Sequence, residues 1–324
     1  MDSDPQRYSD AIREGIADAM REDPLVCLMG IDVGRGGGVY GITRGLFDEF
    51  GPARVRDTPI AETGFVGAAV GAAAAGAKPI VELMYMDFLG VCFDVLLNQA
   101  SKLRYMTGGA VEVPMVLRTQ TGWGRSNGAQ HSQSLEAILA HIPGLKVVMP
   151  ASVEDAYGLL RAAVDDPNPV VFIENRRLYN KRGTFGPPAR IGEAATVRAG
   201  ADVTVVAWSR LVDIALSAAN DLAGTIDVEV IDLRSIAPLD IETVIRSVQR
   251  TSRLVVAHDA VLDFGAGAEI VARVVNEAFD YLDAPPERVG APPVPAPFSP
   301  ALEAAIVPDV EAVKRAIRWT TDSV

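Results

Sequence analysis

The stretch Glu62–Gly76, reading ETGFVGAAVGAAAAG, most restricts how this chain can fold. An apparent strand, Arg54–Asp57, gives way to Thr58-Pro59-Ile60-Ala61, so Glu62 stands at the carboxyl end of a strand and the mouth of a helix. Open α/β sheets bind their ligands at that place. Behind the carboxylate, Gly64, Gly67, Gly71 and Gly76 are separated, beyond Phe65, by nothing larger than valine. Each helical glycine costs ~1 kcal/mol relative to alanine, and close approach of another backbone is the compensation to expect. The plainer reading is a tightly packed core helix that happens to begin with Glu.

Around this stretch, short β-rich runs alternate with amphipathic ones, the pattern of a largely parallel α/β protein. A helix over Tyr8–Arg21 leads to a strand at Leu25–Gly30, and the Gly-rich helix leads to a strand at Pro79–Met84. A long helix over Leu89–Tyr105 stops at Gly108-Gly109. Val113–Arg118 is the next strand, followed by a loop carrying Gly122, Gly124 and Gly128. Ser152 and Asp155 form a capping box for a helix over Val153–Val164. Periodicity lapses around Pro187-Pro188. The division expected is a domain over 1–185, a linker over 186–200 and a second α/β domain over 201–324, with a Pro-rich passage from Pro285 to Pro300 before a last helix.

With 324 residues, 49% of them hydrophobic and 22% charged, the chain has room for two ordinary domains with sizeable cores. Its net charge of −12 argues against nucleic acid or an anionic membrane as partner and favours a basic protein. Cys27 and Cys92 lie in apolar segments without metal-ligand spacing and read as reduced, buried thiols. The acidic N-terminus precedes no apolar run, and Thr63–Ala77 is too short and Gly-rich to span a bilayer, so a cytoplasmic location is expected.

Three histidines occur. His131 lies between the Gly-rich loop and a helix over Leu135–His141, a junction suited to proton transfer or anion binding; capping or packing at that helix start is the alternative. His141 reads as a helix C-terminal residue facing the dipole, and His258, ending a strand beside Asp259, as a domain-contact residue. No Gly-x-Ser-x-Gly elbow, Walker loop or Cys/His cluster is present, and Gly34-x-Gly-Gly-Gly38 lacks dinucleotide spacing.

Taken together, Gly30-Ile-Asp-Val33, Gly45-Leu-Phe-Asp-Glu-Phe-Gly51, Asp57-Thr-Pro-Ile-Ala-Glu-Thr-Gly-Phe65, Ala129-Gln-His-Ser-Gln133, His141-Ile-Pro-Gly-Leu-Lys-Val-Val148, Asp240-x-Glu242 and Pro295-x-Pro-Phe298 resemble one family. It is the β subunit of the thiamine-diphosphate-dependent decarboxylating component of 2-oxo acid dehydrogenase complexes. The resemblance runs in order from about residue 6 to the C-terminus and is strongest to the acetoin and bacterial pyruvate-type branch. It implies an N-terminal pyrimidine-binding fold and a C-terminal transketolase-like open sheet. Glu62 then matches the glutamate that hydrogen-bonds the cofactor's aminopyrimidine, Met84 and Phe88 pack around that ring, and Ile60 lies near it. His131 matches the histidine that positions intermediates and proton transfers in acyl transfer to lipoyl. Met115, Ala163, Val164, Asp166 and Asn168 match a loop holding structural potassium, mostly through backbone oxygens, although Asp165-Asp166-Pro167-Asn168-Pro169 equally reads as an ordinary capped turn.

The Gly-Asp-Gly motif that holds Mg²⁺ and the diphosphate is absent from this chain. The family carries it on a separate α subunit, which implies an α2β2 heterotetramer in which this chain supplies half of each active site. The partners implied are that α subunit, a lipoyl-bearing acyltransferase and a small substrate: pyruvate, a branched-chain 2-oxo acid or acetoin. Acids near the end (Asp309, Glu311, Asp322 and the terminal carboxylate) join the net charge as a basis for docking a basic domain of the acyltransferase. Ile31 replaces a usual acid, and His258-Asp259 replaces the usual His-Glu. A split transketolase-like carboligase that never uses lipoyl, and a non-catalytic scaffold subunit of the same fold, are the alternatives.

Overall fold

The computed structural model describes residues 5–322, and the terminal carboxylate lies outside them. Contacts divide the chain into two compact units. The first takes the residues up to Thr121 with Ile138–Ile191, the second Gly122–Ala137 with the residues from Gly192 onward.

In the first unit, strands β1 (Val26–Gly30), β2 (Val55–Asp57), β3 (Lys78–Leu83), β4 (Val116–Thr121), β5 (Lys146–Val148) and β6 (Val170–Asn175) lie in the order β5-β6-β4-β3-β1-β2. All these pairings are parallel. Both faces of β4 and β6 are buried, as parallel sheets require. Tyr8–Glu22 turns Tyr8, Ile12, Ile16 and Met20 inward, and it packs on Val153–Asp165, which contributes Leu159 and Leu160. A Cβ on Gly15 would lie 3.0 Å from Leu160 Cδ2, so glycine sets how closely the two helices approach. Ser152 Oγ accepts from Asp155 N at 2.9 Å and donates to the Asp155 carboxylate at 2.7 Å, so the expected N-cap forms, while the carboxylate bonds the Ser152 hydroxyl in place of its backbone N–H.

The expected continuous helix over Leu89–Tyr105 is broken into an α segment Leu89–Asp94, a π segment Val95–Ala100 and a last turn Leu103–Met106. Ser101 N reaches back five residues to Leu96 O, and Ser101 Oγ donates to Leu97 O at 2.8 Å. These bonds displace the ordinary ladder. A second departure concerns the helix glycines. Gly71 and Gly76 have nothing within 4 Å of an added Cβ; Gly64 and Gly67 meet only Ala61 and Val95 side chains at 3.7 and 3.9 Å. No backbone among the described residues fills the space they leave.

The second unit holds β7 (Ala195–Arg198), β8 (Val203–Ala207), β9 (Val228–Asp232), β10 (Leu254–Val261) and β11 (Glu287–Ala291) in the order β11-β10-β8-β9-β7. All pairings are parallel except β7 with β9. Strand β7 lies within the span expected as linker, and the Pro-rich passage contains β11 and leads into a helix, Pro300–Ile306. Its prolines flank β11 without entering it, and Pro300 occupies the first helical turn, where its missing N–H is harmless. No helix among the described residues is long and apolar enough to cross a membrane.

His258 is fully buried, and its neighbours Trp208, Ala260, Gly265, Gly267 and Gly290 all lie in this second unit. Its ring stacks on Trp208 at 5.2 Å, and its Nδ1 faces Ala260 O at 3.1 Å. Added Cβ atoms at Gly265, Gly267 and Gly290 would come within 3.0 Å of the ring. Burial holds its pKa down at about 4, against an ordinary 6.5. The unfolded chain therefore takes up a proton that the folded chain refuses. Stability from the neutral ring is complete above pH 6.5 and lost as pH falls towards 4. The unfolding free energy of wild type minus that of His258→Gln, from urea titrations at several pH values, should shrink by about 3 kcal/mol between pH 7 and 4. A pH-independent difference would show that the ring titrates normally.

Candidate active site

At the carboxyl end of the parallel sheet in the first unit, the turn after β1 wraps the end of β2. Gly34 N donates to Asp57 Oδ1 at 2.6 Å, and Thr58 N donates to Gly30 O at 2.9 Å. A Cβ at Gly34 would sit 2.6 Å from the Asp57 carboxylate, so only glycine allows this wrap. The wrap delivers Thr58-Pro59-Ile60-Ala61 to the first residue of the helix Glu62–Ala74. Thr63 Oγ1 donates to Val91 O and ties the helix mouth to the Leu89–Asp94 turn.

Glu62 is 7% exposed, yet its carboxylate has no hydrogen-bond or ion-pair partner among the described residues. Buried carboxylates are ordinarily paired, and the helix dipole favours a negative charge at this position. Thr58 Oγ1 is another buried oxygen without a partner. Ile60 is 82% exposed, while Met84 and Phe88 are half-buried. The Phe88 ring lies edge-on to Tyr85 at 5.5 Å. Cys92, whose Sγ approaches Phe88 O and Leu89 O, is close enough to Glu62 for its charge to add to burial in pushing the thiol up to about 12. A partnerless acceptor beside open apolar surface fits a flat, polar-edged aromatic ring such as an aminopyrimidine.

Beneath this lies a polar core that the sequence reading missed. Arg118 on β4 pairs with Glu82 on β3 and with Glu174 on β6, and its Nη2 lies 3.1 Å from Glu174 Oε2. Tyr179 Oη donates to Glu174 at 2.7 Å and contacts Gln120 at 3.2 Å, and Gln120 Nε2 donates to Met84 O at 2.5 Å. The network thus ends on one of the ring-packing candidates. Burial pushes the Glu174 carboxyl up, while the guanidinium draws it back down.

The residues matched to a potassium loop do cluster. Asp166 N donates to Ala163 O at 3.4 Å, Val170 N to Met115 O at 2.9 Å, and Asn168 N to Asp166 Oδ1 at 2.9 Å. Asn168 Oδ1 accepts from Arg104 at 2.9 Å, and Asp166 Oδ2 pairs with Lys146. These side-chain oxygens serve a capped turn, the alternative read from the sequence.

His131 lies in the Gly122–Ala137 segment, which groups with the second unit, and it is half-buried. Its neighbours in sequence, Ala129, Gln133 and Ser134, line a cleft of about 320 Å³ together with Val261. Glu136, fully buried, accepts from Trp208 Nε1 at 3.3 Å through one oxygen, and its other oxygen is unpartnered. Burial pushes this carboxyl up to about 7. Asp259, the departure from the usual Glu, pairs with Arg210 in the same unit.

Comparison with known proteins places this geometry. Residues 4–182 match the pyrimidine-binding domain of transketolase, and residues 192–313 match the transketolase C-terminal domain. The β subunit of the pyruvate dehydrogenase E1 component from Rickettsia felis is 47% identical over 94% of this chain and 97% of its own length. The mitochondrial β-2 subunit of that component from Oryza sativa is 46% identical over 95% of this chain and 84% of its own. This chain belongs to the E1 β-subunit family. The family extends to the β subunit of acetoin:2,6-dichlorophenolindophenol oxidoreductase from Bacillus subtilis, 44% identical over 94% of each chain. Among solved structures, a split-gene transketolase in an inactive β4 tetramer superposes with a TM-score of 0.81 at 22% identity over 97% of this chain and 98% of its own, a likeness of fold.

For this E1 β-type chain the triad beneath the site carries a measurable consequence. Arg118→Met leaves two buried carboxylates facing each other and should destabilise the chain by about 3–5 kcal/mol in urea unfolding. Adding Glu82→Gln and Glu174→Gln to that variant should recover much of the loss. A single variant as stable as wild type would show that the carboxylates are protonated or hydrated.

Proposed function

We propose that this chain is the β subunit of a thiamine-diphosphate-dependent E1 component, acting in an α2β2 assembly whose α chain carries the Gly-Asp-Gly motif, Mg²⁺ and the diphosphate. The observation that carries the reading is the buried, partnerless carboxylate of Glu62 in a chain 44–47% identical to E1 β and acetoin dehydrogenase β subunits. When bound, the cofactor supplies a nucleophilic carbon and an electron sink for cleaving a carbon–carbon bond next to a carbonyl. Glu62 accepts the proton-bearing edge of the aminopyrimidine and holds that proton at the ring nitrogen. Ile60, Met84 and Phe88 give the ring apolar cover and keep water from the carboxylate. His131 serves proton transfer as the acyl group passes to the lipoyl group of a partner acyltransferase. The substrate is a 2-oxo acid of pyruvate or branched-chain type, or acetoin.

Glu62→Gln in the α/β assembly keeps the shape of the helix mouth but removes the carboxylate. Hydrogen–deuterium exchange at the cofactor's reactive carbon should slow by about 10²-fold or more, the weight of a positioned acid–base group, while the assembly stays intact. Unchanged exchange, or full activity from this chain without an α partner, would overturn the reading.

The acyltransferase docks on the second unit through charge. Asp309 caps the last helix by accepting from Ala312 N at 2.8 Å, and Glu311 pairs with Lys314 at 2.8 Å. These acids are locally engaged, so the summed charge of −12, more than any one of them, attracts a basic domain. Calorimetric titration of the assembly with that domain should show binding that weakens as salt rises. No binding, or binding indifferent to salt, counts against this docking.

A further inference from the structure

We propose that Glu303 is the positioning residue for His131: its buried carboxylate fills a backbone nest in the preceding loop and holds that loop in the shape that presents the histidine. The inference rests on the role given to His131 above.

The loop has an unusual backbone. Gly122, Gly124, Ser126 and Gly128 all have positive φ, at 131°, 86°, 53° and 74°. Glycine accepts such angles freely, whereas Ser126 does not. A chain alternating in this way turns peptide N–H groups towards one side and forms a concavity for an anion. The anion is supplied from within the second unit. Gly124 N donates to Glu303 Oε1 at 2.7 Å, Ser126 N donates to Oε2 at 2.8 Å, and Ser126 Oγ lies 3.5 Å from Oε2. Glu303 is only 2% exposed, and no cation pairs with it among the described residues. Its charge is therefore met by the loop's own amides, in charge-assisted bonds stronger than neutral ones. The left-handed residue, Ser126, is the one held through both its amide and its hydroxyl.

Apolar contacts make the same attachment. Trp123 packs with Ala291 and Ala296, against which Ile306 and Val307 also lie. Phe298 comes within 3.5 Å of the point a Cβ on Gly128 would occupy. Glu303, Ile306 and Phe298 all come from the end of the Pro-rich passage and the helix Pro300–Ile306, so this region forms the seat of the loop. After the histidine, Glu136 ties the segment to Trp208. His131 thus stands between two attachments to one unit, and the polar part of the first is made by a single side chain, Glu303.

The test uses the α/β assembly. Glu303→Gln preserves volume but turns an NH2 group towards a backbone donor, whereas Glu303→Asp keeps the charge one methylene short. In Glu303→Gln, amide exchange across residues 122–130 and tryptic cleavage after the exposed Arg125 should both accelerate at least 10-fold. Acyl transfer to lipoyl should fall by about 10²-fold, towards the level of His131→Ala. The exchange at the cofactor's reactive carbon that reports on Glu62 should be unaffected. Glu303→Asp should recover part of the transfer, and Glu303→Gln added to His131→Ala should cost little more, because the two act as a unit. Unaltered loop exchange would overturn the clamp, and a loosened loop with wild-type transfer, or additive losses, would overturn the positioning role. Unimpaired transfer by His131→Ala would instead overturn the reading of His131 itself.

Discussion

The guanidinium of Arg118, held between Glu82 and Glu174, is the interaction on which the geometry of the first unit depends. Glu82 and Arg118 are direct partners across β3 and β4, and Gln120 and Glu174 are partners across β4 and β6. A buried ion triad is weak evidence for stability, because desolvation cancels much of the attraction. Its clearer consequence is register. Sliding β4 by one residue would turn Arg118 to the other face of the sheet and strand three charges. With register set, Gln120 lies level with the end of β3 and reaches Met84 O at 2.5 Å. The depth of the site floor therefore follows from an ion pair that touches nothing in the site.

Buried carboxylates in this chain differ chiefly in what opposes their charge. Glu174 has an arginine and a tyrosine, and it is a strut. Glu303 has backbone amides, which fix a loop whose own torsions would otherwise resist its shape. Glu136 has one indole N–H, too little to offset burial, so its carboxyl is pushed up to about 7. Glu62 has no hydrogen-bond partner among the described residues, although a helix N-terminus and an open apolar rim surround it. Of these four, Glu62 alone leaves both carboxylate oxygens without a partner among the described residues, which is the electrostatic condition for recognising a polar edge on a ring.

Much of this was legible in residue order because it rests on local periodicity. The helices Tyr8–Glu22 and Val153–Asp165 fall where their patterns place them, and the Ser152 cap forms as its spacing requires. The position of Glu62 was equally legible, since a strand end, a turn with Pro59 and a helix mouth are all local signals. The supports beneath and beside the sites were not. Arg118 meets its partners 36 and 56 residues away, and Glu303 meets its loop across 177 and 179 residues. A buried arginine in Val-Leu-Arg-Thr-Gln-Thr looks like an exposed position of an alternating strand, and no local rule says otherwise. Similarly, Pro293, Pro295, Pro297 and Pro300 announce irregular backbone but not the carboxylate that follows them. The break in the Leu89–Tyr105 helix escaped because its cause, back-bonding by Ser101, is a choice among backbone acceptors that the apolar pattern does not record.

The glycines of the Glu62 helix connect these points. Gly76, at φ 97°, is accounted for by its own left-handed turn. Gly64 and Gly71 are not, for they lie on the exposed side with Thr63 and Ala68, and nothing among the described residues comes closer to an added Cβ there than the Ala61 side chain, 3.7 Å from that of Gly64. Side chains there would be tolerated by everything within the chain. On the proposed reading, a helix that forgoes them at some cost in stability is shaped for the α chain, and the surface so kept low begins at Glu62. The absence of Gly-Asp-Gly, the unpaired Glu62 and the bare helix face therefore have one physical account. On the proposed α2β2 reading, this chain holds its half of a cofactor site at the edge where the α chain closes over it.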